Sequence, residues 1–253
     1  MKQFIRHEDV KIELNVFGTA PKTLIFLAGW THDFQYEPPL IRLLQKKFRV
    51  VTISYPGYAK SQESTRAESM RFLSTIIDSV VASLNIRDYT LVGFSMGCQV
   101  AVDYLKRHPS ARAVLISPVM HPLIEDTPWY GKLLLSSSMF INAIRVLPGI
   151  KRMLVEKAYS MIGGVTEGKK NTSGFTDSRL SVTGAYDTLI AALTSFTDPL
   201  FFKDRIRFIF GDEEVLQRKH DMMNIRYEVI HHAGHGAFET EYKQIAARIM
   251  KLC

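Results

Sequence analysis

The sequence predicts an α/β protein with a doubly wound, mostly parallel sheet and a helical insertion before its last two strands. Three observations carry this expectation. The mainly apolar runs Thr23–Ala28, Arg49–Ser54, Tyr89–Val92 and Ala113–Ile116 have strand length and little polar alternation, as strands covered on both faces do. Segments with helical spacing lie between them, and such alternation suits a doubly wound sheet. After Pro118 the alternation stops, and the next strand-like run, Arg207–Phe210, lies far beyond the roughly twelve residues a crossover needs.

Taken in order, Gln3–His7 and Val10–Phe17 alternate partially, the second ending at Gly18 and Pro21, which suggests an antiparallel pair at a sheet edge. Leu40–Lys47 reads as a helix. So does Ser69–Leu84, where Phe72, Leu73, Ile76, Ile77, Val80, Val81 and Leu84 recur at steps of three and four. Cys98–His108 is a further helix. Tyr130–Leu147 and Ile150–Tyr159 look helical around a Pro148-Gly149 break, and Gly163-Gly164, Gly168 and Asn171–Gly174 mark loops. A helix near Val215–Met223, a strand at Arg226–Ile230 and a terminal helix at Glu241–Lys251 complete the pattern. The expected organisation is a core over residues 1–118, a helical lid over 119–200 and the rest of the core over 201–253.

With 253 residues, 46% hydrophobic and 23% charged, the chain has enough apolar surface for one main core. The charged amino-terminal segment Met1–Asp9 has no signal-peptide core. No stretch reaches the about eighteen apolar residues of a membrane span, so a cytoplasmic location is the expectation. Cys98 and Cys253 are too few for a disulfide framework or a zinc site, and neither a metal nor a cofactor is expected. The net charge of +7 is read as a solubility feature, with no nucleic-acid partner. Most of the basic excess lies between Pro128 and Lys170, where seven basic residues face two acidic ones.

The sharpest motif is Gly93-Phe94-Ser95-Met96-Gly97, which follows one expected strand and opens a helix. A serine on so tight a turn has a strained backbone, and glycines two positions away relieve clashes with neighbouring backbone. Its hydroxyl then projects from the carboxyl edge of the sheet, where a helix amino terminus favours developing negative charge. Such a nucleophile needs a base within reach. His235, in the glycine-flanked loop Ala233-Gly234-His235-Gly236 after the last strand, is the best placed of eight histidines. His231 and His232 end that strand, and His7, His108 and His220 fall at element ends remote from this edge. His32 and His121 are pocket-lining candidates. In the chain order serine, acid, histidine, the acid follows the strand before the last, in Gly211-Asp212-Glu213-Glu214, a loop that offers three acids. Oxyanion donors are usually backbone amides, and those of Trp30 and Met96 are the candidates.

Together these residues resemble the α/β-hydrolase superfamily, in particular its lidded serine esterases and thioesterases, the biotin-pathway methyl esterases among them. The resemblance rests on the Ser95 turn, the His235 loop, the Gly29-Trp30 loop and Ser54-Tyr55-Pro56-Gly57-Tyr58, which is similar to the family's D-x-P-G-x-G-x-S run. Counting three residues beyond the glycine that ends the strand, as the resemblance implies, reaches Glu214 as the acid, with Asp212 as the alternative. The chain departs from the family in carrying Ala28 where histidine is common and Glu214 where aspartate is usual. Serine at the nucleophile position separates it from the epoxide-hydrolase and dehalogenase branches.

The expected reaction is cleavage of a small carboxylic ester or thioester through an acyl-enzyme on Ser95. Carbon–carbon hydrolysis or acyl transfer to an alcohol would use the same triad, and a noncatalytic ligand-binding protein would keep the same fold. Lys151, Arg152 and Lys157 stand on the expected lid either as a solvated helix face or as an attractive patch for an anionic substrate or, as the resemblance implies, an acidic acyl-carrier protein.

Overall fold

The computed structural model describes residues 1–32, 38–166, 180–214, 225–235 and 240–253. The apolar runs become strands β3 (Thr23–Leu27), β4 (Arg49–Ile53), β5 (Tyr89–Phe94) and β6 (Ala113–Ile116). They are followed in the sheet by β7 (Ile206–Gly211) and β8 (Tyr227–Ile230). The opening pair, β1 (Lys2–His7) and β2 (Val10–Phe17), is antiparallel, and β2 joins β4 antiparallel. Among the described residues the sheet has eight strands in the order β1-β2-β4-β3-β5-β6-β7-β8, with every pair from β4 to β8 parallel. The central strand β3 is buried at all five positions, which explains its unbroken apolar sequence.

Helices cover both faces. Helix α2 (Met70–Ser83) packs on α3 (Met96–Leu105), while α1 (Pro39–Leu44) packs on the terminal helix α8 (Tyr242–Leu252). Ser69 caps α2 by accepting the Phe72 amide at 3.1 Å, satisfying one of the donors left open at a helix start. Every apolar position on which the α2 expectation rested is packed against the core.

Between β6 and β7 lie α4 (Trp129–Leu135), α5 (Ser138–Arg145), α6 (Pro148–Thr166) and α7 (Val182–Thr194). The single helix expected over Tyr130–Leu147 is thus two. Ser137 ends the first run and caps the second by accepting the Phe140 amide at 3.3 Å, an expression of serine's preference for caps over helix interiors. Gly163-Gly164 falls inside α6 rather than in a loop, because glycine weakens a helix by only about 1 kcal/mol per residue and need not end it. Helix α7 was not expected from the sequence. The helix expected over 215–223 and the loops expected at 168 and 171–174 lie outside the described residues. Among the described residues no helix is long and apolar enough to cross a membrane.

Candidate active site

Ser95 stands between the end of β5 and the first residue of α3, with φ 51° and ψ −117°, a conformation that serine adopts only under constraint. The surrounding chain supplies the constraint. A Cβ on Gly93 would fall 2.7 Å from the Gly97 carbonyl oxygen, and one on Gly97 would collide with the Leu27 and Ala28 carbonyls at the end of β3. Only glycine permits both approaches. The same crowding presses the loop after β3 against the Ser95 turn, where a Cβ on Gly29 would lie 3.3 Å from that of Ser95.

His235 lies in the turn beyond β8. Its Nε2 is 2.8 Å from Ser95 Oγ, and its Nδ1 is 3.0 and 3.1 Å from the two carboxyl oxygens of Glu214. An ionised carboxylate only accepts, so Nδ1 carries the hydrogen and donates it to Glu214, while Nε2 accepts the Ser95 hydroxyl. The side chains of His235 and Glu214 are 6% and 2% exposed, so the pair interacts where water screens it little.

The two loops that deliver these groups are joined by backbone. The Asp212 amide donates to Ile230 O and the Glu213 amide to Ala233 O, both at 3.0 Å. Asp212 has other partners: its Oδ1 accepts the Ala233 amide at 3.2 Å, and its Oδ2 is 3.1 Å from His231 Nδ1. The Ala233 amide, with help from His231, holds the Asp212 carboxyl below its usual range. Asp212 thus secures the turn that leads into His235.

Trp30 follows β3, and its indole Nε1 donates to Ala185 O of α7 at 2.9 Å. Met96 is the first residue of α3, so its amide belongs to the positive end of that helix. His32 is half-buried, with Nδ1 3.0 Å from Trp30 O and its ring edge-on to Phe94 at 5.3 Å. Phe94 also lies 5.5 Å from the His235 ring, a contact absent from the sequence expectations because that motif position carries no spacing signal. His121 is buried after β6. Cys98 is fully buried, and desolvation pushes its thiol well above the usual range.

The basic residues of the insertion divide. Lys151, expected on an exposed face, is buried with its Nζ 2.8 Å from Thr183 Oγ1, because its stem is taken into the contact between α6 and α7. Arg152 pairs with Glu156 at 2.8 Å, and Lys157 is exposed. Among the described residues no group of three or more His, Cys, Asp and Glu side chains could hold a metal ion. A cavity of about 550 Å³, within the usual pocket range, lies at the amino ends of β7 and β8, lined by Lys203, Arg226, Tyr227 and Leu252. Ser95 is at the opposite, carboxyl edge.

Residues 22–145 match a family model described as the alpha/beta hydrolase fold. A carboxylesterase structure from the thaumarchaeon Nitrososphaera gargenis superposes with a TM-score of 0.69, covering 99% of this chain and 97% of that one at 18% identity. This chain is an α/β-hydrolase-fold protein. An AB hydrolase superfamily protein of Bacillus subtilis is 26% identical over 43% of this chain and 42% of its own length. A pimeloyl-[acyl-carrier protein] methyl ester esterase of Legionella pneumophila is 24% identical over 53% of this chain and 51% of its own length. These matches span about half or less of the curated relatives. Within the α/β-hydrolase fold, the departures at Ala28 and Glu214 are accommodated locally. The Ala28 carbonyl accepts the Tyr55 hydroxyl at 3.3 Å, and the longer glutamate brings both oxygens to one imidazole nitrogen.

Proposed function

We propose that this chain is a serine hydrolase that cleaves a carboxylic ester or thioester through an acyl-enzyme. One observation carries the reading: the continuous hydrogen-bond line from Glu214 through His235 to Ser95 at the carboxyl edge of the sheet. Ser95 Oγ attacks the substrate carbonyl as its proton passes to His235 Nε2, and the carbonyl electrons move onto oxygen. Trp30 and Met96 amides stabilise that oxyanion. Collapse breaks the bond to the leaving oxygen or sulfur, which takes the proton from His235, and the acyl group remains on Ser95. Water then repeats the sequence, losing its proton to His235, and the carboxylic acid leaves as Ser95 recovers its hydrogen. Glu214 holds Nδ1–H throughout and stabilises the transient imidazolium.

The test is a panel of p-nitrophenyl esters of graded chain length, with acyl thioesters alongside, on the wild-type protein and Ser95→Ala. Wild-type turnover with a loss of several orders of magnitude in the alanine variant is expected. Equal turnover by both proteins would reject the reading. The exposed Lys157 and Arg152 on α6, together with the relative named for a carrier-bound methyl ester, support an acidic acyl-carrier protein as the bearer of the substrate. In that case kcat/KM for the carrier-bound substrate, but not for the free one, falls as salt rises. Identical salt responses would remove the carrier.

A further inference from the structure

The loop carrying the proposed Trp30 oxyanion amide is strained: Thr31 has φ 63°, costly for a residue with a branched Cβ and retained only where neighbours hold it. Three hydroxyl or indole groups hold it here. Tyr55 Oη donates to Ala28 O at 3.3 Å, and Trp30 Nε1 donates to Ala185 O at 2.9 Å. The third connection is a chain whose direction follows from counting hydrogens. Thr188 Oγ1 lies 2.8 Å from Gly184 O and 3.2 Å from Ala185 O, carbonyls that only accept, so its single hydrogen points back into α7. Tyr58 Oη, 2.9 Å from Thr188 Oγ1, is therefore the donor in that contact. Its oxygen remains open to accept, and it receives the Thr31 amide at 3.2 Å.

We propose that Tyr58 is a positioning residue that, through Thr188, ties the oxyanion loop to helix α7. The line Thr31 N–H to Tyr58 to Thr188 to Gly184 O runs one way and ends on a helix carbonyl, so each bond polarises the next. Tyr58 and Thr188 are 1% and 0% exposed, and water does not compete for their hydroxyls. The Trp30 amide lies one peptide before the Thr31 amide, so fixing the second limits the orientation of the first. Helix α7 belongs to the insertion between β6 and β7, and a displacement of that helix therefore reaches the oxyanion site through this line and through the Trp30 indole. Where the resemblance leads one to expect a histidine beside the oxyanion loop, this chain uses two tyrosines and a helix.

The catalytic meaning of the brace rests on the serine-hydrolase reading, so the experiment separates the two. Tyr58→Phe, Thr188→Val, Thr188→Ser and the Tyr58→Phe/Thr188→Val pair are compared with wild type by kcat, KM and Tm, and by NMR hydrogen exchange of the Thr31 amide. Tyr58→Phe is expected to speed Thr31 exchange and lower kcat by about 10- to 100-fold, the scale of a misplaced catalytic group, with KM within about twofold because only the oxyanion contact is affected. Thr188→Val should do the same, Thr188→Ser should restore wild-type behaviour, and the double variant should be no worse than either single one. Unchanged Thr31 exchange in Tyr58→Phe overturns the brace whatever the activity. So does a kcat unchanged by Tyr58→Phe, or one that falls only as much as a lowered Tm explains. Wild-type protein that turns over no ester rejects the hydrolase reading, while the exchange result still decides whether the tyrosine holds the loop.

Discussion

Glu214 and Asp212 stand two positions apart in one loop and face different partners, one the His235 imidazole and the other the Ala233 amide and His231. Replacing Glu214 by Gln keeps the size and removes the charge, so the tautomer is no longer imposed and the imidazolium loses its counter-ion. We expect kcat to fall by about 10³- to 10⁴-fold with the fold retained by circular dichroism. Asp212→Asn should lower kcat far less, and steady-state kinetics on both variants checks the ranking. A larger loss in Asp212→Asn would transfer the role to that residue. Ser95 and His235 stood out in the sequence because each is set off by glycines at fixed short spacings, which is local information. Glu214 needed a count from Gly211 that only family resemblance supplied. Phe94 and Tyr58 stand at variable positions of their motifs and Thr188 stands outside any: Tyr58 meets Thr188 across 130 positions of chain, and no local pattern encodes a contact of that kind.

At the scale of elements, α5 and α7 are tied to each other by charge, and α5 to the Ser64–Thr65 backbone by hydrogen bonds. Arg145 Nε lies 2.9 and 3.0 Å from the two oxygens of Asp187, and its other nitrogens donate to Ser64 O at 2.5 Å and Thr65 O at 3.2 Å. Asp187 is buried, and desolvation raises its pKa even though Arg145 pulls the other way. Removing one partner of a buried pair strands the other, so Arg145→Ala should lower stability by about 3–5 kcal/mol in urea unfolding. Arg145→Met with Asp187→Leu should recover much of that loss, and an unchanged midpoint in the single variant would contradict the account. Near this pair Glu68 is buried, and burial followed by the Asp187 charge pushes its pKa to about 9. The folded state therefore keeps a proton that the unfolded chain releases near pH 4.5. Stability from this group is full below that pH and declines as pH rises toward about 9, with a slope of up to about 1.4 kcal/mol per unit. Glu68→Gln should flatten the Tm profile between pH 5 and 9 and raise Tm at pH 8; an unaltered profile would show that Glu68 is ionised in the folded protein. The sequence marked none of these ties. It also missed α7, whose start is signalled only by Ser181, which accepts the Gly184 amide at 2.9 Å. Glycine and threonine in its first turns obscure the helical pattern that follows.

For the whole molecule, the parallel core was legible because burial on both faces leaves an apolar signature in β3 through β7 that any strand of such a sheet must carry. The insertion was legible as an interruption, whereas its internal order depends on tertiary contacts with α7 and the Tyr58 turn. The overall architecture then brings two segments 140 positions apart to one edge and leaves Ser95 and His235 at 2.8 Å. On that juxtaposition rests the proposal that Ser95 is an activated serine in place of a structural turn residue. Intact-mass spectrometry after exposure to a fluorophosphonate tests it most directly, since the reagent reacts with a serine whose proton a neighbouring base removes. Addition of one phosphonyl group is expected, mapped to the peptide containing Ser95 and abolished in both Ser95→Ala and His235→Ala. An unmodified wild-type mass, or a label that persists in Ser95→Ala, would contradict it.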